Sequence, residues 1–63
     1  MRYKIETTHN GAFYTITRLA DGASIFLQGD DAVLFGDRIE GLPAGSEEED
    51  RVCEDYDAVM QAG

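Results

Sequence analysis

Residues 45–59 read GSEEEDRVCEDYDAV, and eight of these fifteen residues are charged, seven of them acidic. Glu47, Glu48, Glu49, Asp50, Glu54, Asp55 and Asp57 are the carboxylates. Side chains of this kind can exchange protons, hold metal ions or present bare negative charge. Proton exchange needs a pocket, and a chain of 63 residues scarcely encloses one. Neither GDDAVLF nor DGASIF has the ligand spacing of a calcium loop, and one His with one Cys makes no zinc site. No glycine loop for phosphate is present. An enzyme, a metal or a cofactor is therefore not expected, and presented charge is the chemistry left.

On a helix, seven carboxylates over these fifteen residues would span ~22 Å, roughly one charge per 3 Å. One strand of DNA carries a charge per ~3.4 Å of axis. Such a row matches a phosphate chain and could enter a basic channel built for nucleic acid, drawn there by its field. Four acids in a first turn also favour the helix dipole. Glu54, Asp55 and Asp57 gain nothing from it, and local helix stability does not account for them. Acidic faces also keep small proteins soluble, so a solvated surface is the competing reading. A second group, Asp30, Asp31, Asp37 and Glu40, would extend the negative surface if two helices lie side by side; taken alone it reads as capping plus a solvated face.

The remaining reactive types suggest structure. His9 sits beside a hairpin turn. Cys53 borders an apolar stripe among acids, which oppose thiolate formation. Tyr3, Tyr14 and Tyr56 read as core aromatics with hydroxyls at the rim.

The elements that must position the acids follow from turn chemistry. RYKIETT (2–8) alternates with period two, Asn10-Gly11 signals a type I′ hairpin turn, and AFYTITR (12–18) is rich in strand formers. Asp21-Gly22 repeats the turn signal before ASIFLQ (23–28). Two-residue loops would pair Thr7 with Tyr14, Ile5 with Ile16, Arg18 with Ile25 and Ile16 with Leu27. Tyr3, Ile5, Tyr14, Ile16, Ile25 and Leu27 then share one face. Lys4, Glu6, Thr15, Thr17, Ser24 and Gln28 share the other, with Phe13 and Phe26 as apolar exceptions.

After Gly29, a first helix is expected from about Asp31 to Glu40, capped by Asp30 or Asp31. Its stripe is Ala32, Phe35, Ile39 and Leu42, within roughly 80°. Val33 and Leu34 fall off it and are expected to be partly buried. Gly36 weakens the helix interior by about 1 kcal/mol relative to Ala. GLPAG (41–45) is a linker. Ser46 and Glu49 then have the spacing of a capping box, opening a C-terminal helix with Val52, Tyr56, Val59 and Met60 on one side. The fold class expected is α+β: a three-stranded antiparallel β-meander followed by two α-helices packed on one face (βββαα), one domain over residues 1–63.

Charge narrows the partners. Residues 1–27 carry a net of +1 and residues 28–63 a net of −9, giving −8 in all. This balance opposes direct binding to nucleic acid or to an anionic membrane surface. No segment has the ~20 apolar residues of a membrane span, and MRYKIETT lacks the long apolar run of a signal peptide, so a soluble intracellular protein is expected.

With its short length, the RYKIETTHNGAFYTITRLADGASIFLQGDDA meander running into a helix, and the acidic C-terminal segment, the chain resembles the small acidic anti-CRISPR proteins of phages and mobile elements. Among these it is most similar to the short type I-C inhibitors of α/β fold that act as DNA mimics. The resemblance implies an inhibitor that works by occupancy in the cytoplasm of the bacterial host. Its partner would be the basic DNA-binding surface of a Cascade protein, with the large subunit the expected contact. It would act as a monomer or weak dimer. The partner-binding residues would then be Asp30, Asp31, Asp37, Glu40, Glu47, Glu48, Asp50, Glu54, Asp55 and Asp57. The alternative from the residues themselves is a phage-encoded interaction module or regulator docking through Phe13, Phe26 and the sheet edge. A halophile's domain with no partner is a third reading.

Overall fold

A computed structural model describes residues 1–62. Strands β1 (Tyr3–Thr8), β2 (Phe13–Arg18) and β3 (Ser24–Gln28) form one antiparallel sheet in the order β1-β2-β3, followed by helices α1 (Asp30–Ile39) and α2 (Glu47–Glu54). This is the expected βββαα, α+β arrangement. Among the described residues no helix is long and apolar enough to cross a membrane.

The first hairpin has the register that Asn10-Gly11 dictates: Thr7 faces Tyr14 and Ile5 faces Ile16. Asn10 (φ 57°, ψ 38°) and Gly11 (φ 91°) are the left-handed centre of a turn closed by the Ala12 N–H on the His9 carbonyl at 3.2 Å; the strands end at Thr8 and Phe13, so this turn sits inside a four-residue loop, His9–Ala12, where a two-residue loop was expected. His9 is also left-handed, at φ 55°, and its ring packs edge-on against Phe13 at 5.2 Å.

The second hairpin departs from the expected register. Ile16 pairs with Ile25 and Tyr14 with Leu27, so the loop is two residues longer and runs from Leu19 to Gly22. Arg18 is the reason. Its N–H donates to the Ala23 carbonyl (2.7 Å), its carbonyl accepts from the Gly22 N–H (2.8 Å), and its guanidinium grips the Asp21 carboxylate with two bonds of 2.9 and 2.8 Å. Asp21 also accepts from the Ala23 N–H at 3.1 Å. It is therefore a loop clamp and not a central residue of a two-residue turn. The Arg18 hydrogen bond foremost, then that of Ala23, lowers its carboxyl to about 2. A slip of two equals the side-chain period, so every residue keeps its face.

Tyr3, Ile16 and Leu27 are buried on the inner face, with Ile5, Tyr14 and Ile25 packed around them. Ala32 and Phe35 of α1 and Cys53 of α2 close over them. Phe35 meets Tyr14 edge-on at 5.1 Å and Tyr56 at 5.5 Å. Gly36 is explained by the same contact. A Cβ there would lie 3.0 Å from the Tyr14 hydroxyl, so the helix accepts its poor helix former to let the ring in.

Both helices differ in detail from the sequence reading. α1 is capped by Gly29 (φ 60°, ψ −137°), a backbone region that side chains bar to other residues, so neither Asp30 nor Asp31 is the cap. Both lie in the first turn, where their charge favours the dipole. Val33 and Leu34 are exposed rather than partly buried. In α2, Ser46 Oγ accepts from the Glu49 N–H (3.2 Å) as a capping box requires, but Glu49 reaches one residue further back, to the Gly45 N–H (2.9 Å). α2 then stops at Glu54, only eight residues long. Acids at 54, 55 and 57 disfavour continuation into the negative end of the dipole. The chain instead makes a 3-10 turn at Asp57–Val59 and pairs with the sheet, Gln61 and Ser24 exchanging N–H···O bonds of 2.9 Å. Tyr56 and Met60 reach the core from this tail, while Val59 faces solvent.

Candidate partner-binding surface

The ten acids expected to meet a partner divide into two sets. Asp50, at the end of the first turn of α2, is only 6% exposed. It accepts from the Arg2 backbone N–H at 3.1 Å and lies 3.8 Å from both the Met1 ammonium and Arg2 Nε. Glu54 pairs with the Arg2 guanidinium, Asp55 with Arg38 and Asp57 with Arg18. These four carboxylates bind the C-terminal third to Met1 and Arg2 ahead of β1, to β2 and to α1. A row of charge over ~22 Å of helix does not form, because α2 is short and its later acids are spent inside the molecule. Asp50 is buried, whereas the Glu54, Asp55 and Asp57 side chains stay 46%, 59% and 38% exposed but are ion-paired within the molecule.

The other six remain free. Asp30, Asp31, Asp37, Glu40, Glu47 and Glu48 are all exposed and make no ion pair among the described residues. With Glu49, which binds the Gly45 N–H, they account for every acid without a cationic partner, and all lie between residues 30 and 49. Lys4 is near Glu6 at 3.9 Å, and Arg18 holds Asp21 and Asp57. Four of the five cations are engaged in this way, and Arg51 alone makes no ion pair among the described residues. Internal pairing sharpens the charge asymmetry: the uncompensated charge collects on α1, the linker and the first turn of α2.

Sequence reasoning missed two members of this surface. Val33 and Leu34 are 62% and 57% exposed. At ~100° per residue, Asp30, Val33, Leu34 and Asp37 fall within roughly 100° on the outward side of α1. An apolar pair between carboxylates has the make-up of a protein-binding patch, with an apolar centre and a polar rim. Their position off the Ala32–Phe35–Ile39 stripe was the available signal.

The opposite side of the sheet offers a smaller feature. Phe26 is 56% exposed and stacks on Phe13 at 5.5 Å, which in turn meets His9. Among the described residues no group of three or more His, Cys, Asp or Glu is placed to hold a metal ion. An open cleft of about 420 Å³ lies beside Arg2, Tyr3, Arg18 and Leu19, its arginines committed to Glu54, Asp21 and Asp57.

Cys53 is fully buried, and desolvation first, then the charges of Glu49 and Asp50, push its thiol up to about 11. The unfolded thiol ionises near ~8.5. The folded state therefore holds its proton while the unfolded state loses it, and stability should fall as pH rises from about 9 towards 11. At pH ~8 the native protein should leave a disulfide reagent unreacted, and denaturant should release one thiol per chain. Rapid labelling of the native protein would show that the core does not enclose this side chain.

No family model matches the chain, and no curated protein or solved structure shows significant similarity to it.

Proposed function

We propose that the protein is a non-catalytic anti-CRISPR inhibitor that binds the basic DNA-receiving surface of a type I-C Cascade complex, at its large subunit, and blocks target DNA by occupancy. The observation that carries this reading is the location of the uncompensated acids, all between residues 30 and 49. The mimicry it invokes is a compact negative patch and not a long row. Asp30, Asp31, Asp37 and Glu40 on α1, with Glu47 and Glu48 at the start of α2, meet Lys and Arg of the partner. Val33 and Leu34 supply apolar contact between them. Charge steers the approach and sets orientation, while the apolar pair slows dissociation.

The test is a binding assay with purified Cascade and a labelled target duplex. Pre-incubation with the protein should abolish the DNA shift, and the protein should co-elute with Cascade. Undiminished DNA binding at a large excess of protein would refute the proposal.

A second reading has its own observation: the exposed Phe26 stacked on Phe13 could seat a partner on the outer sheet face. Alanine at both positions should leave an acid-patch inhibitor at full strength and disable a module that docks through the sheet.

A further inference from the structure

The two edges of the sheet are treated differently. On β3, the outward N–H and C=O of Ser24 are bonded to Gln61. On β1 the edge is open. The Leu19 N–H donates to the Arg2 carbonyl at 3.0 Å, which sets the phase of the ladder: the Arg2 carbonyl, Lys4 and Glu6 face β2. Tyr3, Ile5 and Thr7 therefore direct their N–H and C=O groups away from the sheet, and among the described residues none of these is taken by another backbone group. The strand is six residues long, continuous in register and free of proline. Natural edges of this kind are usually blunted or used.

We infer that the protein self-associates through β1, two copies pairing antiparallel about a two-fold axis at Ile5 to give one six-stranded sheet. The charges of β1 select this occupant and this register. With the axis at Ile5, Lys4 faces the partner's Glu6 and Glu6 faces the partner's Lys4, at the closely spaced non-hydrogen-bonded positions about 4.5 Å apart between Cα atoms. Ile5, half-buried on the inner face, meets its own copy, and Tyr3 meets the partner's Thr7. These three pairs supply about six backbone hydrogen bonds. A slip of two residues in one direction sets Lys4 against the partner's Lys4, and in the other Glu6 against the partner's Glu6. Only the register centred on Ile5 pairs opposite charges throughout.

The rest of the molecule permits the pairing. Residues 1–27 carry a net of +1, and the α2 acids that contact the start of β1, Asp50 and Glu54, are held by the Met1 ammonium and Arg2. α1 packs over β3, at the other side of the sheet, which keeps Asp30, Asp31 and Asp37 away from the junction. The side chains of Lys4 and Glu6 are 60% and 57% exposed, so both can be changed without disturbing the core.

Sedimentation equilibrium at protein concentrations up to about 500 µM, with Lys4→Glu, Glu6→Lys and their mixture, tests the inference. The wild type should dimerise. Each single variant, folded by circular dichroism, should dimerise at least about tenfold more weakly, because like charges then face each other. Mixing the two should restore dimers, since one chain then carries acids at both facing positions and the other carries lysines at both. A monomeric wild type at the highest concentration overturns the inference. So does a wild-type dimer that persists in both variants, or a mixture that stays monomeric.

Discussion

Reversing Asp31, Asp37 and Glu47 to lysine together is expected to weaken binding to Cascade by about a thousandfold, roughly tenfold per position, while the protein stays folded and its melting temperature falls by no more than about 10 °C. All three side chains are exposed and without an ion-pair partner among the described residues. Their removal takes nothing from the fold beyond a favourable term at the start of each helix, about 0.3–1 kcal/mol. Against a basic surface, each reversal exchanges attraction for repulsion. Asp50, Glu54 and Asp57 form the opposite control. Reversing them sets lysines against the Met1 ammonium, Arg2 and Arg18, inside the contacts that bind α2 and the tail to the sheet. That triple variant should lose stability first and binding only as a consequence. Isothermal calorimetry and thermal melts on both variants separate the two roles. Full affinity in the first variant would remove the acid patch from the mechanism.

Phe35→Ala is expected to abolish cooperative unfolding at room temperature. Phe35 is fully buried and is the largest such side chain, held between the ring edges of Tyr14 and Tyr56. Deleting a buried phenylalanine costs about 3–5 kcal/mol. A domain of this length has only about 3–9 kcal/mol in all, at roughly 0.05–0.15 kcal/mol per residue. No disulfide within the chain can offset the loss, since Cys53 is the only cysteine. Phe35→Leu retains much of the volume and should stay folded with a lower melting temperature. Thermal denaturation followed by far-UV circular dichroism reads both, and a near-wild-type melt for Phe35→Ala would show that the core lies elsewhere.

The sheet was legible because its information is local. Asn10-Gly11 fixes one register through backbone preference, and the alternation of Tyr3, Ile5, Tyr14 and Ile16 fixes the buried face. The longer second loop escaped because Arg18 and Asp21 clamp it through side chains, a contact that a two-residue turn signal does not contain. The division of the acids was less accessible still. Arg2 meets Glu54 across 52 positions and Arg18 meets Asp57 across 39, and no spacing rule connects residues so far apart. The early end of α2 belongs with this, since the tail leaves the helix to bond Ser24. Ten candidate carboxylates could be named from composition and helical pattern. Only the folded arrangement separates the six that face solvent unpaired from the four that hold the chain together.

The most direct measurement is the affinity of the wild-type protein for Cascade as salt rises. Contact through about six free carboxylates predicts a fall of at least about a hundredfold between roughly 50 and 300 mM salt, as screening and counterion competition weaken charge pairs at an exposed surface. Affinity that holds constant across that range would contradict an electrostatic interface and leave the acids of α1 and α2 as solvated surface.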